Sequence, residues 1–128
     1  MGPVEKAIRD HVVPGETLCT IPDRAAFSVG EMSVAYFRLI IGSKPTQVRI
    51  SWKVLEGIVP FLKTRASNCV EIGAVHAVVG KENSLDQYLK DNGPRVSTGS
   101  YIAAVLERAR VVEAPPARPA VVCLRKAW

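Results

Sequence analysis

No apolar run in this 128-residue chain approaches the roughly 20 residues that a bilayer-spanning helix needs. Residues 1–20 mix acids among bases and contain no continuous apolar stretch, so they do not read as a signal peptide. Both absences point to a cytoplasmic protein with no membrane partner. Cysteine is sparse: Cys19, Cys69 and Cys123 are odd in number, far apart and form no CxxC pair. Their separations from one another and from His11 and His76 match no short zinc-ligand pattern, so no metal is expected. Three buried or partly buried, reduced thiols are the expectation.

Catalytic constellations are missing too. Glu71, Glu82, Asp86 and Asp91 are dispersed, without the pairing of acid–base catalysis or the clustering of a divalent-metal site. His76 has no nearby Ser or Cys nucleophile with an orienting acid. The segment from Gly73 to Lys81 has six residues between its glycines, not four, and Glu82 stands where a phosphate loop needs a hydroxyl. The chain therefore reads as a non-enzyme, without a cofactor or an evident small-molecule ligand. No internal repeat, heptad or low-complexity segment occurs beyond one proline-rich loop.

What is present suits a globular domain. Hydrophobic residues make up 48% and charged residues 23%, enough for a core without a metal or disulfide staple. The length supports one domain with at most an appended subdomain. The net charge of +5 is unevenly spread. Residues 1–36 hold three bases and five acids, residues 37–94 eight and five, and residues 95–128 six and two. A basic C-terminal third favours polyanions, because binding them releases condensed counterions.

Along the chain, Pro3 opens a helix over 3–11 that Pro14-Gly15 stops. Short β-like runs follow at Thr17–Ile21 and, less distinctly, at Ala26–Val29. Val34–Ile41 reads as a strand, and a turn at Gly42–Pro45 leads to Gln47–Ser51. In that last run Val48 and Ile50 share one face, and Gln47, Arg49 and Ser51 the other. Ser51 caps a helix with Trp52, Leu55, Ile58, Val59 and Leu62 on one stripe, and Pro60 is expected to kink or end it. Val70–Ile72 reads as a strand; Gly73–Asn83 has no clear pattern. Ser84 and Gln87 have the spacing of a capping box opening a helix over 84–91. Asn92-Gly93-Pro94 stops it, with Gly93 free to turn left-handed. Ile102, Val105, Leu106 and Ala109 mark a helix over 98–110. Two extended runs, Val111-Val112 and Ala120–Leu124, flank the proline-rich loop Ala114–Pro119.

Helix, strand, helix, tight turn, helix, strand, loop, strand: over residues 51–126 this order resembles the winged-helix (winged helix-turn-helix) family. The resemblance implies an α+β fold in which an N-terminal helix and β-hairpin (1–50) pack on a C-terminal winged-helix-like unit (51–128). It also implies duplex DNA binding, as a transcription regulator or a targeting module. The third helix would enter the major groove and the loop would act as a basic wing. Ser100, Tyr101, Ala104 and Arg108 would face solvent on that helix, with Arg95, Ser97 and Thr98 ahead of it as phosphate partners. Lys90 would hold the backbone and Arg118 would sit at the wing tip. A second expectation comes from the hairpin. Tyr36, Phe37, Leu39 and Ile41 form an apolar face that, left uncovered, would recruit a protein partner or a second copy.

Overall fold

In the computed structural model, which describes residues 1–42, 46–73 and 83–128, the strands fall into two antiparallel sheets. The first is a meander of β1 (Thr17–Cys19), β2 (Ala26–Val29), β3 (Tyr36–Ile41) and β4 (Thr46–Ser51), hydrogen-bonded in chain order. Alternation decides its faces: Phe27, Val29, Phe37, Leu39 and Ile50 are buried on one side. β3 starts two residues later than its composition suggests. The Ser33 hydroxyl accepts the Tyr36 N–H at 2.9 Å, and this local turn leaves Val34 95% exposed. The turn residues 43–45 and the stretch 74–82, with His76, Lys81 and Glu82, lie outside the described residues.

β4 passes directly into α2 (Trp52–Glu56). Ser51 ends the strand and caps the helix, its hydroxyl accepting the Val54 N–H at 3.2 Å. The helical stripe then breaks at Gly57, three residues before Pro60, and α3 runs Ile58–Lys63. Pro60 thus sits in the first turn of a new helix, where its missing N–H would have had no partner anyway. α1 (Pro3–His11) packs against α2 and owes its N-terminal cap to it. The Glu56 carboxylate accepts the N–H groups of Val4 (3.1 Å) and Glu5 (2.8 Å), satisfying two free donors with a charge that suits the helix dipole. Gly2 permits this approach, because a Cβ there would collide with that carboxylate.

The second sheet contains β5 (Cys69–Glu71), β6 (Val112–Glu113) and β7 (Val121–Leu124), in the order β5-β7-β6. α4 (Leu85–Asn92) and α5 (Gly99–Arg108) lie between β5 and β6 in sequence. Ser84 caps α4 as its spacing predicts, accepting the Gln87 N–H at 3.0 Å, but only half of the capping box forms. The Gln87 amide turns the other way and donates to Asp91. Gly93 ends the helix extended, at φ −141°, and not left-handed. The cysteines also depart from expectation. Pairing of β5 with β7 sets Cys69 opposite Cys123, 54 residues away, and the two form a disulfide; Cys19 is free and exposed. Sequence spacing cannot show this, because only the strand register brings them together.

The fold is α+β, and one apolar core runs through both parts of the chain. Val4 and Ile8 of α1 and Phe37 and Leu39 of the first sheet join Leu85, Ile102, Leu106 and Val122 of the C-terminal part. Among the described residues no helix is long and apolar enough to cross a membrane.

Candidate nucleic-acid interface

The turn between α4 and α5 is organised by Asp86, a carboxylate that sequence reading set aside as dispersed. One carboxylate oxygen accepts the buried Gly99 N–H at 2.9 Å, at the start of α5. The other accepts the Ser97 hydroxyl at 3.3 Å and faces the Lys90 ammonium at 3.3 Å. Gly99 is required here, because a Cβ would lie 2.8 Å from the Asp86 Cβ and 2.9 Å from the Ile72 carbonyl oxygen. Ser97 is thus tied to an internal carboxylate, while Lys90, about one-third exposed, shares that carboxylate only weakly. Thr98 is fully buried, its hydroxyl without a hydrogen-bond partner, so it cannot meet a ligand at the surface.

The solvent face expected for α5 is covered by the first sheet and the loop after β1. The Ser100 carbonyl accepts the Ile21 N–H at 3.3 Å. The Tyr101 ring packs edge-on against Phe27, centroids 5.2 Å apart, and Ala104 is 6% exposed. Arg108 stands at the far end of the helix with its Nε 3.7 Å from a Glu16 carboxylate oxygen. A helix sheathed in this way offers a major groove almost nothing. The reason lies in composition: with Ala103 and Ala104 beside Ile102, Val105 and Leu106, α5 is apolar around most of its circumference. Of the eight expected contacts, Arg95 and Arg118 are exposed and have no ion pair or hydrogen-bond partner among the described residues. Arg118 and Ser100 line a cleft of about 550 Å³ between the proline-rich loop and the segment Pro22-Asp23, shared with Asp23 and Glu71. Two carboxylates beside one guanidinium make this a poor seat for a polyanion.

The outward face of the first sheet is different. Strand register places Arg38 directly opposite Arg49, Tyr36 opposite Ser51, and Thr17, Ser28, Ile40 and Gln47 in one row across all four strands. Cys19 and Ala26 complete the face. None of the strand residues on it is an acid. The Arg49 guanidinium lies over the Tyr36 ring, 5.1 Å from its centroid, and Arg38 donates to the Glu31 carbonyl at 3.2 Å. Among the described residues neither guanidinium is paired with an acid. Like charges directly opposed across strands cost stability, so this pair is held at an electrostatic expense that an anionic partner would relieve.

No family model matches the chain, and no curated protein or solved structure is similar enough to carry an argument.

Part of this face was legible. Gln47, Arg49 and Ser51 share one side by simple alternation. Arg38 becomes their neighbour only through the β3–β4 register, which pairs it with Arg49. The same register buries Phe37 and Leu39, two of the four residues of the expected apolar hairpin face, while Tyr36 lies on the opposite face and Ile41 is half-buried. Among the described residues no His, Cys, Asp and Glu side chains converge as a metal site.

Proposed function

We propose that this protein binds nucleic acid, and does so with the outward face of β1–β4 in place of α5. The observation that carries the reading is the cross-strand pair Arg38–Arg49 beside Tyr36, on a face whose strand residues include no acid. Two fixed cations on a flat surface attract phosphates, and hydroxyl and amide side chains from Thr17, Ser28 and Gln47 supply further hydrogen bonds. The basic C-terminal third adds long-range attraction through Arg110, Arg118, Arg125 and Lys126, all exposed. The winged-helix resemblance stays within this reading as element order: α4, the turn and α5 act as scaffold. A role as a regulator or targeting module fits such binding, and a cytoplasmic setting would supply the ligand. In a reducing compartment the thiol pool would govern whether Cys69–Cys123 stays closed.

The test is a salt series of binding to a random-sequence oligonucleotide, read by fluorescence anisotropy. Affinity is expected to fall steeply with salt. Arg38→Ala with Arg49→Ala should flatten the slope by about 0.7–0.9 per lost phosphate contact. The paired change Arg95→Ala with Arg118→Ala should alter it less. Absence of binding at low salt, or binding that ignores the loss of Arg38 and Arg49, refutes the proposal.

A further inference from the structure

Resting on that reading, we infer that the ligand is a single strand, with an unpaired base stacked at Tyr36. The first argument is size. Four strands spaced about 4.8 Å apart are some 14 Å across before side chains are added. A major groove is about 12 Å wide and admits a helix or a two-stranded ribbon. The face therefore meets a duplex only at its phosphates, and it reaches bases only where they are unpaired.

The second argument is the chemistry at the centre of the charge. Tyr36 lies on the outer face, 37% exposed, diagonal to Arg49 across β3 and β4. The guanidinium lies over the ring, 5.1 Å from its centroid, so the two planar groups adjoin as one surface. Bases stack on aromatic rings and on guanidinium planes alike, in a way that tolerates any sequence because every base has a π-face. Arg38 lies next to the pair, facing Arg49, where the phosphate of a nucleotide stacked on Tyr36 would pass. A duplex keeps its base faces inside its own stack and cannot use Tyr36. The phosphates alone would not need an aromatic ring at the surface, and the core does not need it either, since Phe37 next to it is the residue that is buried.

The experiment compares fluorescein-labelled single-stranded DNA, single-stranded RNA of the same sequence, and the corresponding DNA duplex, at one salt concentration. The single strands should bind more tightly than the duplex. Tyr36→Leu should weaken single-strand binding about tenfold and duplex binding, which uses the phosphates alone, by much less, while Tyr36→Phe restores most of the single-strand binding. A DNA-over-RNA or RNA-over-DNA difference identifies the natural source of the strand. Tyr36 lies outside the core, and circular dichroism of each variant checks that the fold is kept. If Tyr36→Leu has no effect, or the duplex binds as well as the single strands, the stacking inference is wrong. In that event the proposal of nucleic-acid binding stands if Arg38→Ala with Arg49→Ala still weakens all three ligands. If none of the three binds, both fail.

Discussion

Replacing Asp86 with Ala should be among the most damaging single polar changes in the chain, although Asp86 touches no proposed ligand. The substitution removes the acceptor of the buried Gly99 N–H and leaves that donor without a partner. A buried unsatisfied N–H costs about 1–3 kcal/mol, and a bond to an ionised acceptor lies at the upper end. The Ser97 and Lys90 contacts, both at 3.3 Å, are weaker. Lys90 is about one-third exposed, so its ion pair is screened and adds no more than about 0.5 kcal/mol. The expected loss is about 2–3 kcal/mol, or roughly 8–10 °C in Tm for a domain of this size. Asp86→Asn keeps an oxygen for Gly99 and should lose only about 1 kcal/mol. Lys90→Ala should lose less than about 0.5 kcal/mol. Urea denaturation of the three variants gives the ranking directly. If Asp86→Ala is within 0.5 kcal/mol of the parent, or Lys90→Ala costs as much as Asp86→Ala, the carboxylate does not organise the turn.

Two other outcomes are expected. Burial raises the Tyr88 phenol above its ordinary value of 10, and the hydroxyl donates to the Val54 carbonyl at 3.0 Å. The folded state thus holds this proton more tightly than the unfolded chain does. That contribution is fully present below pH 10 and is lost as pH rises through the higher folded value. Stability should therefore fall more steeply above pH 10 in the parent than in Tyr88→Phe; equal slopes would contradict it. The Cys69–Cys123 bond closes a loop with a separation of 54, for which the chain-entropy relation gives about 4 kcal/mol as an upper value. Cys69→Ser with Cys123→Ser should lower stability by up to that amount. Thiol titration of denatured, unreduced protein should detect Cys19 alone, and three reactive thiols would refute the pairing.

The local signals in the sequence were strong where a single side chain acts on its own backbone. Ser51 and Ser84 cap the helices expected of them, and β4 keeps the alternation of Val48 and Ile50. Signals weakened where distant segments compete for one side chain. Gln87 found Asp91 in place of its reciprocal capping bond, and Glu56 capped a helix some fifty residues upstream. The candidate site suffered most. Apolar periodicity marks which stripe of α5 is buried, but it does not say that a second layer will cover the opposite stripe. Ser100, Tyr101 and Ala104 read as solvent-facing only while β1 and β2 are left out of account. Small and mildly polar residues on a helix suit a packed face as well as a wet one, so tertiary contact decides between them.

The junction at Ser51 bears on how the chain can be divided. One residue closes the register of β3–β4 and opens α2, with no spacer to absorb a cut. Cleavage there removes a strand end and a helix cap in one event. It also strips α1 of the Glu56 carboxylate and uncovers Phe27 and Tyr101. Fragments 1–50 and 51–128 are therefore expected to need each other. Mixed in solution, they should recover structure by complementation, whereas each alone exposes the surface that the other was shaped to hold.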